Sequence, residues 1–350
     1  VGYQALKVQD AGADAFNAAV GYQAGKAITT GTGHTLMGGQ AGLALTTADD
    51  NVAIGRAALA ADTLGSDSVA IGKNALNSQN FTTATDTYNV AVGRSAGAAV
   101  TTGIHNTLLG GLAGDSLTDA DKNIAIGYNA LTADTLGSRS VAIGVGTLGA
   151  QNFTTATSAY NVGVGHNAGA AVTVGTINTL IGGIAGAALT TGDSNVAVGY
   201  VALQSDTQGD RNVAIGAGAL KTQDFTTSTS VYNVGVGYDA GASVTTGVQN
   251  TLIGGLAGDA LTDADFNVAV GYQSLSTDTL GSRSVAVGHQ ALRDQNFTTA
   301  TDSYNTALGF FAGLSVTTGI RNTLVGAFAG DALTASGFNT AIGYGALDSD

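Results

Sequence analysis

The stretch NVAIGRAALAADTLGSD, residues 51–67, decides the fold. Its opening NVAIG alternates larger and smaller apolar residues between an asparagine and a glycine, which is typical of a short β-strand. The phrase returns at Ser68, Asn89, Asn106 and Asn123, so three 17-residue coils accompany one 21-residue coil. Seventeen residues are too few for a βαβ crossover, which needs about 30. The spacing therefore predicts an all-β fold, a parallel β-solenoid whose coils each have two short strands and two tight turns.

Four coils make a 72-residue unit, because the same order of coil lengths recurs along the chain. The units begin at Asn51, Asn123, Asn195, Asn267 and Asn339. With two earlier coils and a leading fragment, the chain holds about twenty coils in all. Such a period indicates one elongated array over residues 1–350. At the strand spacing, it predicts a rod of about 95 Å. Since the chain starts and stops within a repeat, we expect a segment of a longer fibre.

Composition excludes several classes of function. The chain has 25 acidic residues, all of them Asp, against 12 Lys and Arg, for a net charge of −13. No basic stripe is available to neutralise phosphates, so nucleic acid is not an expected partner. Cysteine is absent, which excludes a disulfide framework and a thiolate metal site. Apolar runs are only four or five residues long, so we expect no insertion into a membrane.

The alternation within each strand divides its side chains between two faces. We expect the larger residues to point into the solenoid, and the glycine after each strand to need a positive φ or a close backbone approach. The predicted core ladder includes Val52, Ile54, Leu59, Phe81, Ile124, Ile126 and Phe153. The residues that open the coils predict a stacked amide ladder containing Asn51, Asn89, Asn123, Asn195, Asn267 and Asn339.

The middle residue of each strand then points outwards. It is Ala or Gly in most coils, but a leucine in every fourth coil. These leucines are Leu36, Leu108, Leu180, Leu252 and Leu324. An uninterrupted apolar stripe exceeds the few hundred Å² that soluble monomers usually expose. The stripe predicts inter-chain packing through these leucines, with parallel copies around an axis.

Candidate chemistry is sparse. Asp119 with Asp121 recurs as Asp263 with Asp265, which gives weak candidates for a calcium site, although most of the pattern fits solvated turns. The four histidines never stand at ligand spacing. Tyrosines recur after the strands and could stack on sugars or pack between coils. We therefore expect no catalytic residues, no enzyme activity and no cofactor. Two further hypotheses are ice binding and polysaccharide cleavage by a β-helix. Ice-binding solenoids typically present a threonine ladder on every coil, and this sequence lacks one.

The phrase N-[VT]-A-[IV]-G-x-x-A resembles two related groups of repeats. One is the head of trimeric autotransporter adhesins, and the other is the shaft of bacteriophage tail fibres, to which this chain is more similar. The similarity rests on GYQAL at 2–6, GYQAG at 21–25, GYNAL at 127–131, GYQSL at 271–275, and TTG turns at 101–103, 245–247 and 317–319. It covers essentially the whole chain.

The resemblance implies a left-handed β-roll that forms a parallel homotrimer on a virion or an extracellular surface. The expected function is a structural fibre shaft, a stiff spacer that carries a receptor-binding tip for host attachment. The host-surface glycan or protein would then be bound outside this segment. The alternative is the head of a bacterial adhesin, in which the rod itself binds matrix or host surfaces.

Overall fold

The computed structural model describes residues 1–349, which contain 27 β-strands and no helix. The chain divides into two compact units, Val1–Thr176 and Ile177–Asp350. The strands of the first unit are β1 (Ala18–Val20), β2 (Thr35–Met37), β3 (Val52–Ile54), β4 (Gly65–Ser66), β5 (Val69–Ile71), β6 (Thr85–Asp86), β7 (Val90–Val92), β8 (Thr107–Leu109), β9 (Ile124–Ile126), β10 (Gly137–Ser138), β11 (Val141–Ile143), β12 (Thr157–Ser158) and β13 (Val162–Val164). None of the described residues forms a helix that could span a membrane.

The strands of the second unit follow the same order. They are β14 (Thr179–Ile181), β15 (Val196–Val198), β16 (Gly209–Asp210), β17 (Val213–Ile215), β18 (Thr229–Ser230), β19 (Val234–Val236), β20 (Thr251–Ile253), β21 (Val268–Val270), β22 (Gly281–Ser282), β23 (Val285–Val287), β24 (Thr301–Asp302), β25 (Thr306–Leu308), β26 (Thr323–Val325) and β27 (Thr340–Ile342).

The three-residue strands pair in parallel, each with the corresponding strand of the next coil. In the first unit Val52 of β3 faces Val69 of β5, which faces Val90 of β7. In the second unit Val268 of β21 faces Val285 of β23 in the same way. Equivalent positions of neighbouring coils are 17 apart along the chain, or 21 apart across the long coil. The predicted fold class is therefore confirmed: the chain is an all-β parallel solenoid of about nineteen coils.

The second strand that the sequence predicts for every coil is found in some coils and not in others. Within residues 1–349, the two-residue strands occur only in the first two coils of each 72-residue repeat, where β4 pairs with β6 and β10 with β12. In the second unit β16 pairs with β18 and β22 with β24. The other coils close through turns instead.

The turns place several residues in the left-handed region. In the coil that contains β3, Ala57, Leu59 and Asp67 have φ of 57°, 50° and 59°. Such a conformation costs roughly 1–2 kcal/mol for a residue with a side chain. It persists because the neighbouring coils fix the backbone; Leu59 N, for example, donates to Ala75 O at 3.0 Å.

The glycine after each strand meets the predicted requirement. Gly72 has a φ of 133°, and a Cβ placed on it would lie 2.3 Å from the carbonyl oxygen of Gly93 in the next coil. Any side chain here would collide with backbone that no rotamer change can move. Glycine is required at this corner because successive coils stack there almost backbone to backbone.

The direction assigned to the strand side chains from the sequence is wrong. In all nineteen three-residue strands the middle residue is buried, and the two residues beside it are half-buried or exposed. The leucines expected between chains, Leu36, Leu108, Leu180, Leu252 and Leu324, are fully buried inside their own coils. Val52, Ile54, Ile124 and Ile126 lie on the outside of the sheet, whereas Leu59, Phe81 and Phe153 are buried in the core.

The physical reason is the small width of the coil. Its interior accepts alanine at the middle of most strands, together with the buried alanine and leucine of the following turn, such as Ala58 and Leu59. The larger β-branched residues pack well on an open pleated surface instead. Both faces are apolar, so the period of 2 separates them without telling which one is inside.

Leu108, in the middle of β8, fills space that two glycines leave open. A Cβ on Gly97 would lie 2.6 Å from Leu108 Cδ1, and a Cβ on Gly114 would lie 2.8 Å from Leu108 Cδ2. In coils with a glycine such as Gly97 at this turn position, the strand leucine thus fills the core space. In other coils a leucine at the turn position, such as Leu76, fills it. This alternation between a strand leucine and a turn leucine recurs every 72 residues, which is the length of the repeat.

We expect Leu108→Ala to destabilise the surrounding coils by about 2–5 kcal/mol, because it opens a cavity between two glycines that cannot fill it. Leu109→Ala, on the outside of the same strand, is the matched control and should cost much less. Hydrogen exchange over positions 90–125 measures the difference. Equal effects of the two substitutions would contradict the inward orientation of Leu108.

Candidate functional site

Asparagine at the start of most coils joins that coil to the next; the other coils begin with His34, Ser68, Ser140 and Ser284. Asn51 Nδ2 donates to Gly65 O of its own coil at 2.8 Å, and Asn51 Oδ1 accepts from Ser68 N of the following coil at 2.9 Å. Asn89, Asn123, Asn195 and Asn267 make the corresponding pairs of bonds. Asn339 N and Nδ2 both donate to Asn322 Oδ1. The amide ladder is present, but most of its bonds run to backbone groups rather than from amide to amide.

His34 replaces asparagine in this ladder. Its Nε2 lies 2.8 Å from Ala48 O, and its Nδ1 accepts from Asn51 N at 3.2 Å. These are the two bonds that Asn51 makes one coil later. Because Nδ1 must accept, the imidazole is neutral with its proton on Nε2. Burial lowers the pKa of His34, although the carbonyl of Ala48 and the nearby Asp49 and Asp50 oppose the shift.

A buried aspartate that the sequence analysis missed lies in each 72-residue repeat. Asp62 Oδ1 accepts from Gly65 N and Phe81 N, both at 3.1 Å, and Oδ2 accepts from Gln79 Nε2 at 2.6 Å. Gln79 Oε1 in turn accepts from Asn89 Nδ2 at 2.9 Å. The cluster therefore ties the middle of the 21-residue coil to both neighbouring coils.

The same cluster recurs once in every repeat. Its aspartates are Asp62, Asp134, Asp206 and Asp278, and its glutamines are Gln79, Gln151, Gln223 and Gln295. Burial raises the pKa of Asp206, while the hydrogen bonds from Gln223 and from the backbone of Phe225 and Gly209 act in the opposite direction. This strict recurrence of Asp and Gln was the signal in the sequence. All the polar atoms of Asp62 already have partners, which gives the cluster a structural role.

The calcium candidates accept hydrogen bonds from the preceding coil. Asp119 Oδ1 accepts from Thr102 Oγ1 at 2.7 Å, and Asp121 Oδ1 accepts from Ile104 N at 2.8 Å. Asp263 and Asp265 repeat this arrangement with Thr246 and Val248. Among residues 1–349 no three acidic or histidine side chains are grouped as a metal site would require. The arrangement fits turn residues, and calcium binding stays a hypothesis.

The largest feature available to a partner is the outside of the sheet. We call the outward residues at the two ends of every three-residue strand the outer sheet face. They are Val, Ile, Leu, Met or Thr in all strands but β1, which reads AAV. Several are well exposed, with Ile143 at 36% in the first unit and Ile253 at 39% in the second. Each unit therefore presents a regular apolar surface that its own chain leaves uncovered.

Aromatic side chains border this face in the second unit. Tyr272 stacks on His289 with ring centroids 5.5 Å apart, and His289 stacks on Phe310 at 5.2 Å. Phe311 and Phe328 extend the cluster. Tyr272 and Phe310 are 48% and 44% exposed. We call these five residues the aromatic cluster; the equivalent residues of the repeat that begins at Asn51 are Arg, Lys, Arg, Ser and Leu.

The two best-formed depressions are poor candidates for a small-molecule site. The wider one, beside Val8, Lys26 and Leu43, encloses about 510 Å³ but has no acid or histidine in its lining. The best formed one lies beside Arg139, where Asp121, Ser138 and Ser158 line a volume of about 140 Å³. Sites for small molecules usually have at least about 300 Å³. Arg139 Nη1 donates to Ser158 Oγ, and its guanidinium lies over the ring of Tyr160, so the pocket is part of the packing of the long coil.

We expect acid to weaken the coils around His34. The folded pKa lies below the unfolded value of 6.5, so the contribution of His34 is fully present above pH 6.5. It is lost as the pH falls through 6.5 towards the lower folded pKa, because the unfolded chain takes up the proton first. The exchange rate of the Asn51 amide between about pH 7.5 and about pH 5, corrected for intrinsic exchange, measures the loss. His34→Asn restores the usual ladder residue and should remove this pH dependence; an unchanged dependence would contradict the assignment.

Comparison with protein-family models, with curated proteins and with solved structures finds no match for the chain.

Proposed function

We propose that this chain is the structural shaft of a fibre, a stiff spacer whose copies associate in parallel through their outer sheet faces. The observation that carries the proposal is the apolar surface repeated on the coils of each unit. In host attachment, such a shaft holds a receptor-binding tip away from a particle, as the resemblance to tail-fibre repeats implies. The tip, and the host glycan or protein that it recognises, lie outside this segment.

Self-association follows from the chemistry of the outer sheet face. Soluble monomers rarely expose apolar patches larger than a few hundred Å². Here Val, Ile and Leu side chains recur on successive coils of one face without an interrupting charge, for example from Val52 to Ile143 in the first unit. The surface repeats at the strand spacing of about 4.8 Å, so another copy of the same chain matches it in spacing and in chemistry. The interface thus uses the Val and Ile positions rather than the buried leucines.

Stiffness follows from the bonds between coils. In each unit every coil is joined to the next by strand pairing and by turn bonds such as Gly97 N to Ala113 O at 2.9 Å. The asparagine ladder adds two further bonds per coil inside the core. Nearest-neighbour stacking of this kind makes length proportional to the number of repeats. An array of this type serves as a spacer without any moving part.

The buried polar groups support a non-catalytic function. The asparagines, the Asp62 cluster and His34 all bind backbone or one another in a repeated pattern. An active site would instead need reactive groups that converge on an open volume. We therefore assign the chemistry of this chain to folding and association, and place the fibre on a virion or another extracellular surface.

Charges on the outer sheet face should dissociate the copies without unfolding them. We expect Ile126→Asp combined with Ile143→Asp to shift the mass in solution from an oligomer, a trimer in our proposal, towards the monomer. Ala61→Asp combined with Ala84→Asp adds the same charge at exposed positions off this face and serves as the control. Sedimentation analysis gives the mass, and circular dichroism checks the fold. A stable monomer of the unaltered chain would contradict the proposal.

The aromatic cluster favours a second candidate function, an adhesin whose coils bind a surface themselves. Exposed rings of this kind, bordering an apolar sheet, are suited to glycan or protein surfaces. Beads coated with this chain separate the two functions. Under the spacer proposal they should not adhere to bacterial cells or to animal matrix; adhesion that Tyr272→Ser with Phe310→Ser abolishes would instead establish the adhesin.

A further inference from the structure

Two rows of residues border the outer sheet face. The residue immediately before each coil start forms the leading edge, such as Asp50 before Asn51. The residue after the glycine that follows each strand forms the trailing edge, such as Arg56 after Gly55. Both edges are half-buried or exposed at the strands discussed below. Because they lie outside the packed core, stacking of the coils does not fix their identity.

The charges on the two edges vary together. Across the nineteen coils, Lys or Arg occupies the trailing edge only at Arg56, Lys73 and Arg94. An acidic residue occupies the leading edge only at Asp50 and Asp67. Asp50 and Arg56 flank the same strand, β3, and Asp67 and Lys73 flank β5. An acidic residue therefore occupies the leading edge only at strands whose trailing edge carries a basic residue.

The next repeat changes both edges together. The strand equivalent to β3 is β9, which is flanked by Lys122 and Tyr128, and the strand equivalent to β5 is β11, which is flanked by Arg139 and Val145. Compared with β3 and β5, β9 and β11 have an uncharged residue at the trailing edge and a basic residue instead of an acidic one at the leading edge. No strand in the described part of the chain has the same sign of charge at both edges.

These residues cannot pair within one chain. From Asp67 to Ile71 the backbone is extended over about 13 Å at the strand rise, and Lys73 lies beyond the glycine corner. No ion pair among residues 1–349 joins the two edges. Burial, the largest cause, and the charges of Asp86, Asp50 and Asp49 raise the pKa of Asp67. The leading edge here is a group of carboxylates, and the trailing edge is a row of cations.

We propose that, in the associated fibre, the trailing edge of one copy lies against the leading edge of the next, so that Lys73 pairs with the neighbour's Asp67 and Arg56 with its Asp50. The inference rests on the self-association proposed above and deepens it. A closed ring of copies needs a heterologous contact, in which two different patches of each chain meet. Parallel copies at equal height bring the two edges of the same strand together.

The pairs would fix the axial register. A slip by one 72-residue repeat leaves the outer sheet faces almost unchanged, because the repeats have nearly the same sequence. In one direction the slip sets Arg56 against Lys122 and Lys73 against Arg139, and like charges facing each other are strongly disfavoured. In the other direction it sets Asp67 against Val145. Only the unshifted register pairs every charge of β3 and β5 with its opposite.

A charge-exchange cycle on the full chain tests the proposal. We expect Asp67→Lys and Lys73→Asp, each alone, to raise the dissociation constant of the oligomer by about tenfold at low salt, because each sets like charges face to face. The double variant restores opposite charges and should return to within about threefold of the unaltered chain. Salt at about 1 M should reduce all these differences. Sedimentation measures association, and circular dichroism confirms that each variant folds.

Arg139→Asp is the matched control, because the opposite edge of its strand carries Val145. It should leave the dissociation constant nearly unchanged. Equal dissociation constants for the unaltered chain and both single variants, or a double variant as weak as the sum of the singles, would overturn the proposed pairing while leaving self-association intact. The mass of the unaltered chain tests self-association separately, and a monomer there would overturn both.

Cysteines at the two positions test the placement itself. The chain has no cysteine of its own, so Asp67→Cys with Lys73→Cys gives two defined sites. A short bismaleimide should join copies of the double variant into a covalent ring, and neither single variant should form a ladder. Covalent dimers of the Lys73→Cys variant alone would show that identical edges meet, and would overturn the proposal.

Discussion

The stacking of coils in this protein depends on an asparagine that binds two backbone groups in opposite directions. The side-chain amide of Asn51 donates a hydrogen bond to Gly65 O of its own coil and accepts one from Ser68 N of the next coil. A buried backbone group without a partner costs about 1–3 kcal/mol, so such a side chain stabilises a coil interior where no strand pairing reaches. His34 performs the same two functions with its two ring nitrogens, so a side chain other than an amide can supply the donor and the acceptor.

The narrow interior of the coil restricts which side chains fit at the other buried positions. Alanine fills the centre of most strands, and Leu108 fits there because its own coil offers Gly114 and the preceding coil offers Gly97. The buried Asp62 cluster replaces apolar volume with polar side chains where the long coil packs on the coil before it, and every carboxylate oxygen in it has a donor. A fully paired polar cluster is compatible with a close-packed core, whereas a partly paired one would destabilise it.

The sequence was sufficient for the coil boundaries, the glycine corners and the asparagine ladder, because each follows from strict spacing. It was insufficient for the direction of the strand side chains. Val52 and Ala53 are both apolar, and only the width of the folded coil shows that the smaller one lies inside. Asp62 was missed for a similar reason: aspartate is rarely buried, and its partners Gln79 and Phe81 belong to the following coil. The recurrence of aspartate and glutamine in every repeat was visible, but its meaning depended on which coils touch.

The same uniformity that makes the coils stack creates a difficulty for assembly. If the core and the outer sheet face are alike in every repeat, neither can distinguish one axial register from the next, since a slipped pair buries the same apolar side chains. Information about register must therefore come from positions that stacking leaves free, and the leading and trailing edges are such positions. Their residues differ strongly between repeats, as Arg56 and Tyr128 show, while the core residues Leu59 and Leu131 are identical. In the proposed fibre, one charged segment near Arg56 and Lys73 is sufficient to set the register of the coils stacked on it within its unit. A second segment with the same charges, placed in the next repeat, would stabilise a slipped fibre as well as the aligned one. The proposed pairing therefore depends on the restriction of acidic leading-edge residues to Asp50 and Asp67.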